Sequence, residues 1–301
     1  MRGDNGTGWD YAAEDLAYIQ RLPALPATAP DALAAAELRM DPRNVIRVEH
    51  QGSQGSCQGH ALSSCVEWSA SMQTGSPSPQ LSRAMAYYET QLLDNIRGDK
   101  GSTISGGARL ATVTGICLES LWPYPKKYDR RRPADWSAVR ESAQTHRISD
   151  AFRLRGYADV RRFLGRRTGG ISIGLGWPKA MNRDVVEGYK ARNRAGGHAV
   201  AVLCLSDRLA DDAGDPYVCV LNSWGTRSGR SGWHEWSPRC VHQIFESPRT
   251  VAVGLSGVEG LKIEPWDAAD WRRRLRIADD PHAELDQADS QSEHLGRGAE
   301  T

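Results

Sequence analysis

The sequence predicts an α+β fold, mainly helical in its first half and mainly β in its second, with a cleft where the halves meet. Three observations carry that expectation. Segments up to about Gly115 keep helical spacing, including the stripe Leu81, Met85, Tyr88 and Leu92. After about residue 144 the period shifts to strand-like runs, of which HAVAVLCL and YVCVLNSW are the most apolar. A chain of 301 residues is long enough to bury a full core, as one large domain with extensions or as two small ones.

Taken in order, residues 9–20 have the composition of one short helix. The following LPALPATAPDALAAAELRM is a Pro/Ala-rich lead-in that permits a short helix over 31–38. Residues 1–38 are therefore expected to form an arm rather than a domain. NVIRVEH delivers the chain to Gln51, and the turn-rich QGSQGS ends at Cys57, where a helix is predicted to begin and to run to about Met72 before GSPSPQ breaks it. A second helix is expected over 81–95 and, after a polar loop at 96–107, a shorter one ends near Gly115. Residues 126–140 carry six basic and two acidic residues and are expected to be a solvated face.

The β half opens with HRISDAFRLRG as a strand, DVRRFLGRR as a short helix and GGISIGLGW as a glycine-interrupted strand. Residues 180–196 are polar and loop-like. HAVAVLCL and YVCVLNSW follow as strands joined by the polar SDRLADDAGDP, and VHQIFE and TVAVGLSG are expected to add edge strands. Residues 263–301 are expected to be a C-terminal extension. From Asp279 onward it has seven acidic residues, one arginine and almost no apolar content, which predicts disorder.

A formal net charge of +1, from 38 Lys and Arg against 37 Asp and Glu, argues against a dedicated nucleic-acid or membrane surface. No run of apolar residues approaches the length of a membrane span, and the N-terminus lacks the apolar core of a secretory signal, so a soluble protein is expected, cytoplasmic or exported by a non-classical route. The six cysteines form no CxxC pair, which argues against a zinc site and a disulfide framework and slightly favours a reducing compartment; no metal or organic cofactor is expected. Cys204 and Cys219 lie in apolar strand-like runs and read most simply as core residues.

Cys57 is where chemistry is expected. At a helix start, unpaired N–H groups and the positive end of the helix dipole favour a thiolate. Alone, such a cysteine is more often an inert buried residue. Two later residues change the weighing. His198 stands immediately before a strand, where an imidazole is fixed in place and can move a proton to and from sulfur. Asn222 follows the second strand, in LNSWG, where its side-chain carbonyl can hold the far ring nitrogen without adding charge. Gln51, six residues before Cys57, can offer its side-chain amide to an oxyanion together with the Cys57 N–H.

These residues resemble the papain-like cysteine peptidases, in a divergent bacterial form. QGSxGSC at 51–57, GHA at 197–199 and NSWG at 222–225 stand in that family's order, and LESLWPYP at 118–125 also resembles a family segment. The resemblance implies a two-lobed papain-like fold over residues 39–262. It implies Cys57 as nucleophile, His198 as general base and acid, Asn222 as orienter, Gln51 as oxyanion donor and Trp224 as the indole shielding the His198–Asn222 bond. Gly106 and Gly107 are expected to line the cleft and pair with an extended substrate, with Gln58 beside them. Three departures stand out: the family's bridge cysteines are absent at Gln54 and near Ile104, Gln58 replaces the usual Trp, and fewer residues precede the domain than in family zymogens.

The implied activity is hydrolysis of peptide bonds in a peptide or protein substrate through a thioester. An amidase, a deconjugating enzyme or a transpeptidase would use the same nucleophile, and a non-catalytic binding protein would keep only the fold. The N-terminal arm is expected to dock in the cleft or to receive a partner.

Overall fold

The computed structural model describes residues 8–26, 40–190, 196–259 and 261. The chain falls into two units, Met1–Ile263 and Glu264–Thr301, and the predicted acidic tail lies outside the described residues, as does the helix proposed for 31–38.

The helical lobe is built from α1 (Leu16–Arg21), α2 (Pro42–Val45), α3 (Cys57–Thr74), α4 (Arg83–Leu93), α5 (Ile104–Arg109) and α6 (Trp136–Gln144). Its centre is α3, buried on every side from Cys57 to Ser71, which explains why its sequence carries small residues and no clean amphipathic stripe. Gly75 ends it in the left-handed conformation, at φ 66°. The α3–α4 contact includes an ion pair sealed from water: Arg83 Nη1 and Nη2 reach the Glu67 carboxylate at 2.5 and 3.0 Å, and Arg83 Nη1 also donates to the Leu81 carbonyl. Behind α4, Met85, Tyr88, Trp122 and Val139 form the lobe's own apolar cluster.

The β lobe is one sheet of seven strands: β1 (Arg147–Arg153), β2 (Gly169–Gly176), β3 (Val185–Val186), β4 (Gly197–Ala210), β5 (Pro216–Leu221), β6 (Trp233–Trp236) and β7 (Val251–Glu259). Their order is β1-β7-β2-β4-β5-β6-β3, antiparallel except for the β3–β6 pair. The helices α7 (Tyr157–Gly165) and α8 (Pro238–Glu246) complete it, with Val160, Phe163, Leu164, Val241 and Ile244 in the same core as the strand residues.

Several expectations are corrected here. The segment 9–20 is not one helix: it begins extended, makes a short turn at Tyr11–Ala13, and becomes helical only after Asp15 caps α1. Helix α5 starts at Ile104, inside the predicted loop, because Thr103 caps it through Gly106 N–H. VHQIFE is helical, set by the Ser237 cap and Pro238 at the first position. TVAVGLSG is no edge strand; β7 pairs with both β1 and β2. The basic stretch includes α6, whose Val139 and Ala143 are buried.

Candidate active site

Cys57 opens α3, and His198 lies in β4 one residue from its start, so the two lobes meet at this pair. The Ala199 N–H donates to Cys57 Sγ at 3.3 Å, which locks the sulfur to the strand that carries His198. His198 Nε2 is 2.9 Å from Asn222 Oδ1. An amide oxygen only accepts, so Nε2 carries a proton in the neutral ring and Nδ1 is the basic atom. Buried, Nδ1 has no hydrogen-bond partner within the described structure.

Asn222 is itself held from several directions. Its Oδ1 also accepts the Ser223 N–H at 2.8 Å, and its Nδ2 donates to Ser228 Oγ at 3.3 Å. Aromatic rings enclose the dyad. Trp224 stacks on His198 with centroids 4.4 Å apart, and Trp177 meets the ring edge-on at 4.7 Å. Sequence reasoning missed Trp177 and also His234, which bonds Ser228 Oγ behind Asn222. The Trp of GLGW, one residue after the end of β2, was the available signal for Trp177.

Gln51 is fully buried at the same lobe junction. Its Oε1 accepts from Ser223 Oγ at 2.6 Å and its Nε2 donates to the Gln54 carbonyl at 2.7 Å, so the amide's orientation is fixed. Tyr124 donates to the Gln51 carbonyl and shares a 2.5 Å hydrogen bond with Ser56, tying LWPYP to the loop before Cys57.

The predicted substrate-facing glycines are corrected. Gly106 and Gly107 lie inside α5, their N–H groups bonded to Thr103, and they serve close packing: a Cβ on Gly106 would stand 2.3 Å from the Asp94 carboxylate, and one on Gly107 1.8 Å from Gln58 Nε2. Gln58 is likewise buried, and its Oε1 accepts from Ser102 Oγ at 2.9 Å. It positions the cleft edge from behind. The edge itself is Gly101–Ser102, a few residues earlier, where a polar loop gave no pattern to read.

The N-terminal arm occupies that edge. Ser102 N–H donates to the Gly8 carbonyl at 2.9 Å, Asp10 N–H donates to the Ser102 carbonyl at 3.1 Å, and Trp9 N–H donates to the Gly197 carbonyl at 3.2 Å across the cleft. The Gly8 N–H faces the Cys57 sulfur. The Trp9 indole fills space that Gly174 leaves open, since a Cβ there would stand 2.4 Å from the ring. Its Nε1 donates to Glu14 at 2.7 Å, and the same carboxylate accepts the Ile104 and Ser105 N–H groups at the start of α5. Farther along, Asp15 pairs with Arg109, whose guanidinium covers the Tyr18 ring.

Burial acts on the charge of both groups. Burial pushes the Cys57 thiol up to about 11, against the opposing pull of the Ala199, Gly8 and Gln58 N–H groups. Burial also pushes His198 down to about 4, against the Asn222 hydrogen bond. The thiolate expected from the helix start is opposed: desolvation outweighs the helix terminus, and both shifts favour the neutral thiol and the neutral ring. Among the described residues, no group of His, Cys, Asp and Glu is placed to hold a metal ion, and no helix is long and apolar enough to cross a membrane.

A sequence profile described as "Papain family cysteine protease" matches residues 34–243. Among solved structures, the chain is similar to xylellain, a cysteine protease from Xylella fastidiosa, at 19% identity and TM-score 0.66, covering 86% of this chain and 98% of that one. It is also similar to procathepsin B from Trypanosoma congolense, at 17% identity and TM-score 0.58, covering 84% and 87%. Bromelain from Ananas comosus, solved with the E64 inhibitor, gives 18% identity and TM-score 0.53, covering 72% and 97%. No curated protein sequence matches significantly.

Proposed function

The chain belongs to the papain family of cysteine proteases, and from that premise we propose that it is a cysteine endopeptidase whose resting state is closed by its own residues 8–26. The observation that carries the catalytic part is the His198 ring, which bonds Asn222 through Nε2 and keeps a buried, unpartnered Nδ1 beside the strand position that holds Cys57 Sγ.

With the arm displaced and water admitted, the desolvation that keeps Cys57 and His198 neutral is relieved. The thiol proton passes to His198 Nδ1 and the sulfur attacks a peptide carbonyl carbon. The Cys57 N–H and the Gln51 side-chain amide stabilise the oxyanion. Collapse of that intermediate breaks the C–N bond, and His198 returns the proton to the leaving amine. Water, deprotonated by His198, then releases the acid from the thioester and regenerates the thiol. Trp224 and Trp177 keep bulk water off the His198–Asn222 bond, so the ring turns little between steps.

Endopeptidase action is favoured by the arm itself. An internal polypeptide segment lies across the cleft, bonded to both walls, with Gly8 rather than a chain end at the sulfur. What it presents there is an N–H, which is no electrophile, so the docked arm obstructs without offering a carbonyl carbon at that contact. The extended backbone of a substrate would take its place on Ser102 and Gly197. The test is hydrolysis of a fluorogenic peptide library by the full chain, by Trp9→Ala and by Cys57→Ala. Turnover that rises in the first variant and vanishes in the second supports the reading; turnover indifferent to Cys57 overturns it.

A further inference from the structure

Cys204 on β4 and Cys219 on β5 are register partners in an antiparallel pair, so the two thiols are directly opposed. They are not ordinary core packing. The register slips next to them: Val202 pairs with Val220 and Cys204 with Cys219, so two steps along β4 match one along β5. Such a bulge lets the local backbone adjust, which the narrow geometry of a disulfide requires. Both cysteines are reduced in this structure.

Reagent reaches the pair from the Cys204 side. Cys204 is half-buried and lines a cavity of about 500 Å³, while Cys219 lines a second of about 360 Å³. Arg43 lines both, paired with Asp41 and Asp207; its charge favours a thiolate on Cys204, and the Asp41 carboxylate opposes it more strongly. Cys219 itself and the other four cysteines are buried.

We propose that Cys204 and Cys219 are a redox-active pair that closes to a cross-strand disulfide under hydroperoxide, clamping the strand that carries His198 to the one that leads into Asn222. Cys204, the half-buried one of the two, reacts first: its thiolate attacks one peroxide oxygen, the O–O bond breaks, and a sulfenic acid forms while the expelled hydroxide takes up the thiol's proton as water. The Cys219 sulfur then attacks the sulfenic sulfur, forming the S–S bond and releasing a second water. Two thiols and one peroxide thus give one disulfide and two waters, with the two electrons passing from sulfur to oxygen. The neighbouring Cys219 thiol, burial and the Asp41 carboxylate together hold the Cys204 pKa well above its ordinary value against the pull of Arg43, so closure is slow at neutral pH and accelerates with alkalinity. Cys57 takes no part, and the inference stands apart from any reading of its activity.

The experiment maps the full chain before and after treatment with equimolar hydrogen peroxide at pH 8.5. Trypsin cuts at Arg208, between the two cysteines, so the product is a two-chain peptide joined by Cys204–Cys219 that dithiothreitol separates. Closing this short loop should also raise Tm by roughly 5–10 °C, and Cys204→Ala and Cys219→Ala should each abolish the rise. The mapping uses the unaltered chain, so it decides the matter even where a variant folds poorly. A Cys204 that accumulates as sulfinic acid with no linked peptide, linkage to a different cysteine, or two thiols that survive peroxide unchanged would overturn the proposal.

Discussion

Trp9 and Gly174 are complementary: the indole of the arm lies where a side chain on the strand would be, 2.4 Å from the position a Cβ would take. The arm is thus keyed to a gap in the β lobe and hydrogen-bonded to both walls of the cleft. Removing the indole forfeits roughly 2–3 kcal/mol of burial, which corresponds to about 30–150-fold in the open fraction. Trp9→Ala should therefore raise kcat/KM on a small fluorogenic peptide by up to that factor. Assays of the variant beside the full chain check it.

The same displacement should change how the nucleophile titrates. In the closed chain, with the Cys57 thiol pushed up to about 11, iodoacetamide labelling should be slow at pH 7 and climb through the alkaline range. In Trp9→Ala the apparent pKa should drop below 8.5, and adding His198→Ala should remove that drop. Peptide mapping after timed alkylation reads all three.

Asn222 fixes the His198 ring through Nε2, the nitrogen away from the basic Nδ1. In the Trp9→Ala background, Asn222→Ala should lower kcat roughly 10–100-fold with KM nearly unchanged, because a mis-set ring slows proton transfer and not binding. Steady-state kinetics separates the two parameters.

Asp94 carries a pH signature in the fold. Burial raises its carboxyl to about 6, against the Thr103 hydrogen bonds, and the Glu14 carboxylate adds to the rise. A carboxyl raised on folding contributes stability that is fully present below its unfolded value, near ~3.9, and is lost as pH rises through about 6. Asp94→Asn should therefore melt above the unaltered chain at pH 8, and the gap should close toward pH 4. Paired thermal melts test it.

Glu67 and Arg83 have side chains only 4% and 1% exposed, so breaking the pair strands a charge. Glu67→Ala should cost about 3–5 kcal/mol, and Glu67→Leu combined with Arg83→Met should recover most of it. Urea unfolding of the three chains gives the comparison.

Much of this site was legible because its chemistry is local in sequence. A glycine- and serine-rich turn ending at Cys57, a strand opening at His198 and another ending before Asn222 each announce themselves through composition and period. The cleft edge was not legible, because Gly101–Ser102 matters for its backbone, and the glycines that looked functional, Gly106 and Gly107, are small because Asp94 and Gln58 press against them. Nor was the extended start of the arm: residues 9–20 are composed like a helix, and it is contacts with the cleft walls that hold Gly8–Asp10 extended. The opposed pair Cys204 and Cys219 depends on strand register and a bulge, neither of which a single strand's pattern specifies. The charge state of Cys57 depends on what covers it.

The most direct measurement is single-turnover hydrolysis of a peptide ester by Trp9→Ala, quenched in acid and analysed by mass spectrometry. An acyl adduct on Cys57, absent in Trp9→Ala/Cys57→Ala and accumulating faster than the full chain forms it, is the predicted result. An adduct on another residue, or equal hydrolysis with and without Cys57, would contradict it.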